Sequence, residues 1–130
     1  MSTSPVVTCN VIATAVDTDV RLVTSPGRPN VLVEGHVATI ARVFATISHE
    51  LREPVTVWTG GALPMTGTVI VPNVGRLGRS QQRQLDAWLT SEPRRGQVIS
   101  TCSHSLFALV QGGAFPSDLY YRLNVVRITL

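Results

Sequence analysis

The chain has 130 residues, 44% of them hydrophobic and 15% charged, with a formal net charge of +3 at neutral pH. That length suits one domain with a core of its own, and so apolar a composition excludes a disordered, solvating segment. All 11 basic residues are arginine, which excludes a lysine phosphate grip and Schiff-base chemistry. The two cysteines, Cys9 and Cys102, form no CxxC pair and no ligand spacing, so no metal is expected and a reduced, cytoplasmic setting is. The first residues lack a basic and then apolar leader, and no run is long enough to span a bilayer, so neither export nor a membrane partner is expected.

In chain order, residues 1–29 read as an N-terminal extension. Val6, Val7, Val11, Ile12 and Val16 form a β-branched run, and Val20–Val23 could be a second short strand. The turn Thr24–Pro29 closes the extension, and residues 30–130 form the main unit. Asn30–Gly35 is a short apolar run ended by glycine, the pattern of a buried parallel strand. A helix is predicted over Ala38–Leu51, with Val37, Ile40, Phe44, Ile47 and Leu51 on one face. Val55–Trp58 and Thr68–Val71 are further strands. Ser80 is placed to cap a helix that runs to about Leu89, with Leu85, Trp88 and Leu89 as its apolar contacts. Val98–Thr101 is a fourth strand, and short helices at Leu106–Val110 and Ser117–Leu123 precede a last strand, Val125–Leu130. Strands alternating with helices imply an α/β fold with a mainly parallel sheet and right-handed crossovers.

The segment Phe115-Pro-Ser-Asp-Leu-Tyr-Tyr-Arg-Leu-Asn-Val-Val-Arg127 resembles the G-x-F-R-x-D-L-Y-Y-R-L-N-V pattern in the AAA+ domain of sigma-54-dependent transcription activators. The resemblance extends over about Asn30–Leu130. It implies a P-loop NTPase-like, five-stranded sheet with flanking helices in the order 5-1-4-3-2, with Val31–Glu34 central. Where the family has the phosphate-wrapping G-E-S-G-T-G-K-E, this chain has Gly35-His-Val-Ala-Thr-Ile-Ala-Arg42. Two glycines are thus Ala38 and Ile40, and the lysine that meets the terminal phosphates is Ala41. Where the family has G-T-L-F-L-D-E-I-G-E-L, this chain has Gly67-Thr-Val-Ile-Val-Pro-Asn-Val-Gly-Arg-Leu77. The metal-binding aspartate is Pro72 and the water-polarising glutamate is Asn73; neither can carry negative charge. By the same resemblance, Thr59 stands where the family has the asparagine that restrains this glutamate, and Cys102-Ser103 where it has the sensor threonine and asparagine. Of two arginine fingers the first is Pro116 and the second is kept as Arg122. The family's sigma-contacting loop is replaced by the short Pro64–Gly67 bridge, and the helical lid and DNA-binding segment are absent from the sequence.

These substitutions imply a degenerate nucleotide cleft at Gly35, His36, Thr39, Ala41, Pro72 and Asn73, with no bound cofactor and no catalytic residues beyond Arg122. Arg122 could act in trans on a neighbour's nucleotide, or it is a surface arginine paired with Asp118 on the same helix. His36, Asn73, Cys102, Ser103 and His104 should gather at the C-terminal edge of the sheet, where open α/β sheets bind ligands, as a polar pocket, as a metal site that no ligand spacing supports, or as scattered loop residues. Arg76, Arg79 and Arg83 form a possible basic stripe with Arg94 and Arg95 nearby, or a solvated face; no nucleic-acid partner is expected. Trp58 and Trp88 read as core residues. Three functions fit. One is a catalytically dead, transcription-related regulator that self-associates or binds sigma-54 activators. Another is a binding module for a protein or small ligand in the old cleft. The last is an unorthodox nucleotide binder.

Overall fold

The computed structural model describes residue 23 and residues 28–64, 66–91 and 95–130. The expected strands before Val23 therefore lie outside the described residues. Val23 itself is helical and buried rather than part of a strand.

Strand β1 (Val31–Glu34) is buried at every position. Helix α1 (Val37–Ile47) follows and ends in a 3-10 turn, Ser48–Glu50. Then come β2 (Val55–Val57), β3 (Thr66–Val71), a 3-10 turn at Val74–Arg76, helix α2 (Arg79–Thr90), β4 (Arg95–Cys102), α3 (Leu106–Gln111), α4 (Ser117–Leu123) and β5 (Val126–Thr129). The strands form one sheet in the order β2-β3-β4-β1-β5, parallel throughout. This is the expected order, with one correction. The middle strand is β4, the longest, and β1 lies between it and the β5 edge.

Successive residues of each interior strand serve opposite layers, as expected of a parallel sheet covered on both faces. Leu32, Val69, Val98 and Cys102 face Leu85, Leu106, Leu119 and Leu123 from α2, α3 and α4. Val31, Val33, Ile99 and Ile128 face Ile40 and Ile47 of α1, with Leu51 and Val23. The predicted apolar face of α1 is correct for Ile40, Ile47 and Leu51, but Val37 is 68% exposed. It sits in the first helical turn, beyond the rim of the sheet.

Two further differences have local causes. Helix α2 is capped by Gly78 rather than Ser80, with the Gln81 side chain accepting from the Gly78 N–H at 3.4 Å. Strand β4 starts at Arg95, three residues before the apolar run Val98–Thr101. Its polar entry holds because Gln97 is buried and its Nε2 donates to the carbonyls of Val23 (2.9 Å) and Pro29 (2.8 Å). Gly96 leaves room for Trp88, whose ring would lie 2.9 Å from a Cβ there.

The β2–β3 connection spans residues 58–65, shorter than the dozen or so residues of an ordinary parallel crossover. It is laid along α2. Trp58 Nε1 and Gln84 Nε2 both donate to Gly61 O (3.1 and 2.5 Å), and Trp88 Nε1 donates to Pro64 O (2.8 Å). Trp58 is buried and Trp88 packs on the same cluster, as expected of core residues.

Candidate functional site at the C-terminal edge of the sheet

The turn from β1 into α1 is Gly35 and His36. The Gly35 N–H donates to Cys102 O at 3.0 Å, which ties the turn to the end of β4. His36 is the N-cap of α1: its Nδ1 accepts from the Ala38 N–H (3.2 Å) and its carbonyl accepts from the Ile40 N–H (3.0 Å). A phosphate cradle needs a run of N–H groups turned toward the ligand. Here two of them are already engaged, and Thr39, Ile40 and Ala41 lie inside the helix.

Facing this turn is the end of β3. Pro72 follows the strand, and Asn73 adopts the left-handed conformation (φ 52°, ψ 51°), which asparagine tolerates better than most residues. Its N–H donates to Thr101 Oγ1 at 3.2 Å, and its carbonyl accepts from the Arg76 N–H at 2.9 Å. Between the turn and Asn73 lies a cavity of about 320 Å³. Val37, Ile40 and Phe44 of α1 form one wall, with Val57 and Ile70 opposite. Gly35, Ala41, Pro72 and Asn73 all border it, so four of the six cleft residues come together; His36 and Thr39 do not line it. None of its lining residues is ionisable at neutral pH.

A second cavity of about 310 Å³ adjoins the first and shares Asn73 and Ser103 with it. Arg76, Cys102, His104 and Ser105 line it. The expected gathering at this edge thus holds for Asn73, Cys102, Ser103 and His104, while His36 is turned into its capping role. Among the described residues no three His, Cys, Asp or Glu side chains come together as a metal site.

Arg122 lies elsewhere. It projects from α4 to Asp86 of α2, with Nη1 at 2.5 Å from Oδ1, and both side chains are about two-fifths exposed. Its partner is therefore Asp86, not Asp118. Arg79 and Arg83 border a third cavity of about 250 Å³ beside this pair, whereas Arg76 faces the second cavity. The arginine stripe is thus divided between two sites. Arg94 is outside the described residues, as is the Arg95 side chain.

The Sigma-54 interaction domain family profile matches residues 21–130. The chain belongs to that family. A relative in Cupriavidus necator, the acetoin catabolism regulatory protein, is 39% identical over 49% of this chain, which spans only 11% of that relative's length. Among solved structures, NtrX from Brucella abortus in complex with ATP superposes with a TM-score of 0.69 at 15% identity, covering 91% of this chain and 36% of that one. The P-loop NTPase domain of the sigma-54 transport activator from E. coli gives a TM-score of 0.57 at 22% identity, covering 93% and 95%. These structural likenesses establish the P-loop NTPase fold.

Within this sigma-54 interaction domain, three buried polar residues tie the elements together and were not singled out from sequence; only Glu34 lies at the site's edge of the sheet. Glu34, buried at the end of β1, accepts from the Leu106 N–H (2.8 Å) and pairs with Arg127 Nε (3.2 Å), so it positions both α3 and β5. Asn30 Oδ1 accepts from Val98 N–H (3.0 Å) and its Nδ2 donates to Arg122 O (3.1 Å). Gln97 is the third. A polar residue closing an apolar strand was the available signal for Glu34; nothing local marks the long-range partners of the other two.

Proposed function

We propose that this chain is a non-catalytic member of the sigma-54 interaction domain family that acts in transcription regulation by binding rather than by hydrolysing nucleotide. The observation that carries the reading is the uncharged cleft. Ala41, Pro72 and Asn73 stand where the resemblance places a lysine, an aspartate and a glutamate, and all three border the cavity. A triphosphate with Mg²⁺ needs fixed charge of both signs around it. The capped start of α1 supports the same reading, because the N–H groups of Ala38 and Ile40 already have His36 as acceptor. The experiment is a titration of the protein with ATP and Mg²⁺, followed by calorimetry and by phosphate release. No binding at millimolar ATP and no release are expected; micromolar, Mg²⁺-dependent binding would reinstate the nucleotide reading.

The partner in this proposal is a protein, either a second copy or an activator of the same family, in the cytoplasm. Arg122 would then be the one group from the arginine-finger pair able to reach a neighbour, once released from Asp86. Light scattering reports self-association. Co-purification with a family activator, and the activator's ATPase rate with added protein, report the other partner.

A second reading is favoured by the first cavity's lining: the old cleft serves as a site for a small ligand other than a nucleotide. Its walls are mostly side chains of valine, isoleucine, phenylalanine and proline, the composition of a small-molecule pocket.

A further inference from the structure

The two adjoining cavities at the C-terminal edge differ in character. The first is walled by Val37, Ile40, Phe44, Val57 and Ile70 and has no charged lining. The second has the Arg76 guanidinium and the His104 imidazole, with the hydroxyls of Ser103 and Ser105. Asn73 and Ser103 belong to both and form the ridge between them. No carboxylate lines either cavity. Among the described residues no ion pair to Arg76 is formed, and Glu34, at the end of β1, is buried and engaged with Leu106 and Arg127. A cation that has no counter-ion among the described residues, set one ridge away from an apolar lobe, has the chemistry of a receptor for an amphipathic anion.

We propose that these two cavities form one site for a small anion with an apolar tail, a monocarboxylate of medium chain or with an aryl ring. The tail occupies the lobe between α1 and β3. The carboxylate crosses the Asn73–Ser103 ridge, where both side chains can donate, and meets Arg76 and His104. This inference rests on the non-nucleotide reading of the cleft.

The apolar walls predict a chain-length dependence. Each methylene buried in the lobe should tighten binding about fourfold until the lobe is full. Arg76 should then separate a carboxylate from an alcohol of equal length by about fivefold, since the guanidinium is exposed and solvent screens it.

The test is calorimetry or ligand-observed NMR on the full chain with acetate, hexanoate, octanoate and 1-octanol. Octanoate should bind more tightly than hexanoate by about tenfold or more and more tightly than octanol by about fivefold, and acetate should not bind. Arg76→Ala should bring octanoate to the affinity of octanol and leave octanol unchanged. Ala41→Phe, an exposed helix position that borders the lobe, should abolish binding of both; Val37→Asp, also exposed, provides a second blocking variant if the first does not fold. Equal affinity for octanoate and octanol, an Arg76→Ala variant with unchanged preference, or no binding of any probe would overturn the proposal. Micromolar binding of Mg-ATP would instead overturn the reading beneath it, whatever octanoate does, so the two failures are distinguishable.

Discussion

At the β1–α1 turn, Ala38, Ile40 and Ala41 stand where the resemblance places two glycines and a lysine; in α4, by contrast, Asp118-Leu-Tyr-Tyr-Arg-Leu-Asn-Val125 keeps the pattern throughout. The physical environments differ as sharply. In α4, Leu119 and Leu123 are fully buried and Tyr120 is 3% exposed. Tyr120 contacts the rings of Phe107 and Tyr121 at centroid distances of 5.7 and 5.2 Å, so even the exposed Tyr121 has a packing partner. At the turn, His36, Val37, Ala38 and Ala41 are exposed and little packing depends on them; of the replaced positions Ile40 alone has joined the core. A position tied to the core is held by the core; a position whose role is to meet a ligand is free to change when the ligand does. Under the proposal above, this explains how the fold of a nucleotide-binding family persists around a cleft without charge.

This contrast can be broken by substitution. The largest effect is expected at Gly67, part of the kept scaffold. Its φ is +92° and a Cβ there would collide with Pro54 O, a backbone atom that cannot swing away. Gly67→Ala should cost about 4 kcal/mol or prevent folding, by combining backbone strain with overpacking; urea unfolding measures it. Leu119→Ala, in the centre of the larger cluster, should cost about 3 kcal/mol in the same assay. Arg122→Ala should cost under about 1 kcal/mol, because both members of its ion pair are well hydrated. Repeating the measurement in 1 M salt should remove most of that difference. The smallest effect is expected at the turn itself. Ala41→Lys should leave stability within about 0.5 kcal/mol and should not create ATP binding, since the N–H groups of Ala38 and Ile40 remain engaged and Pro72 and Asn73 supply no carboxylate for Mg²⁺. An Ala41→Lys variant that binds Mg-ATP in the micromolar range would show that one side chain, and not the shape of the turn, separates the two regions.

Much of the fold was legible in the sequence because interior parallel strands are short apolar runs and their helices carry apolar stripes. Val31–Glu34 and Ser117–Leu123 are of this kind, whereas the strand order came from the resemblance. The resemblance in Phe115–Arg127 added the family, since it lies in residues that pack. The misplacements share another cause. The entry of β4 depends on Gln97 reaching the carbonyls of Val23 and Pro29, and the partner of Arg122 sits on a different helix. Such pairs join residues far apart in the chain and leave no local periodicity. The centrality of β4 rather than β1 already follows from the order 5-1-4-3-2, which leaves two strands on each side of the fourth. At the site, the sequence pointed to four residues that do come together, Gly35, Ala41, Pro72 and Asn73, but not to the apolar lobe. Val37, Phe44, Val57 and Ile70 come from three elements, and as separate letters they read as ordinary core.

The Gly60–Gly61 corner of the β2–β3 connection has a use beyond the fold. A Cβ added at Gly61 would meet nothing within 4 Å, and Gly61 and Ala62 are exposed. The anchors that hold the connection to α2, Gln84 and Trp88, grip the carbonyls of Gly61 and Pro64, to either side of Ala62. Lengthening a flexible loop is thermodynamically mild, with each doubling costing about 0.6 kcal/mol. The corner is therefore a splice point, where a peptide epitope or a reporter could be carried by this domain without disturbing the sheet beneath it.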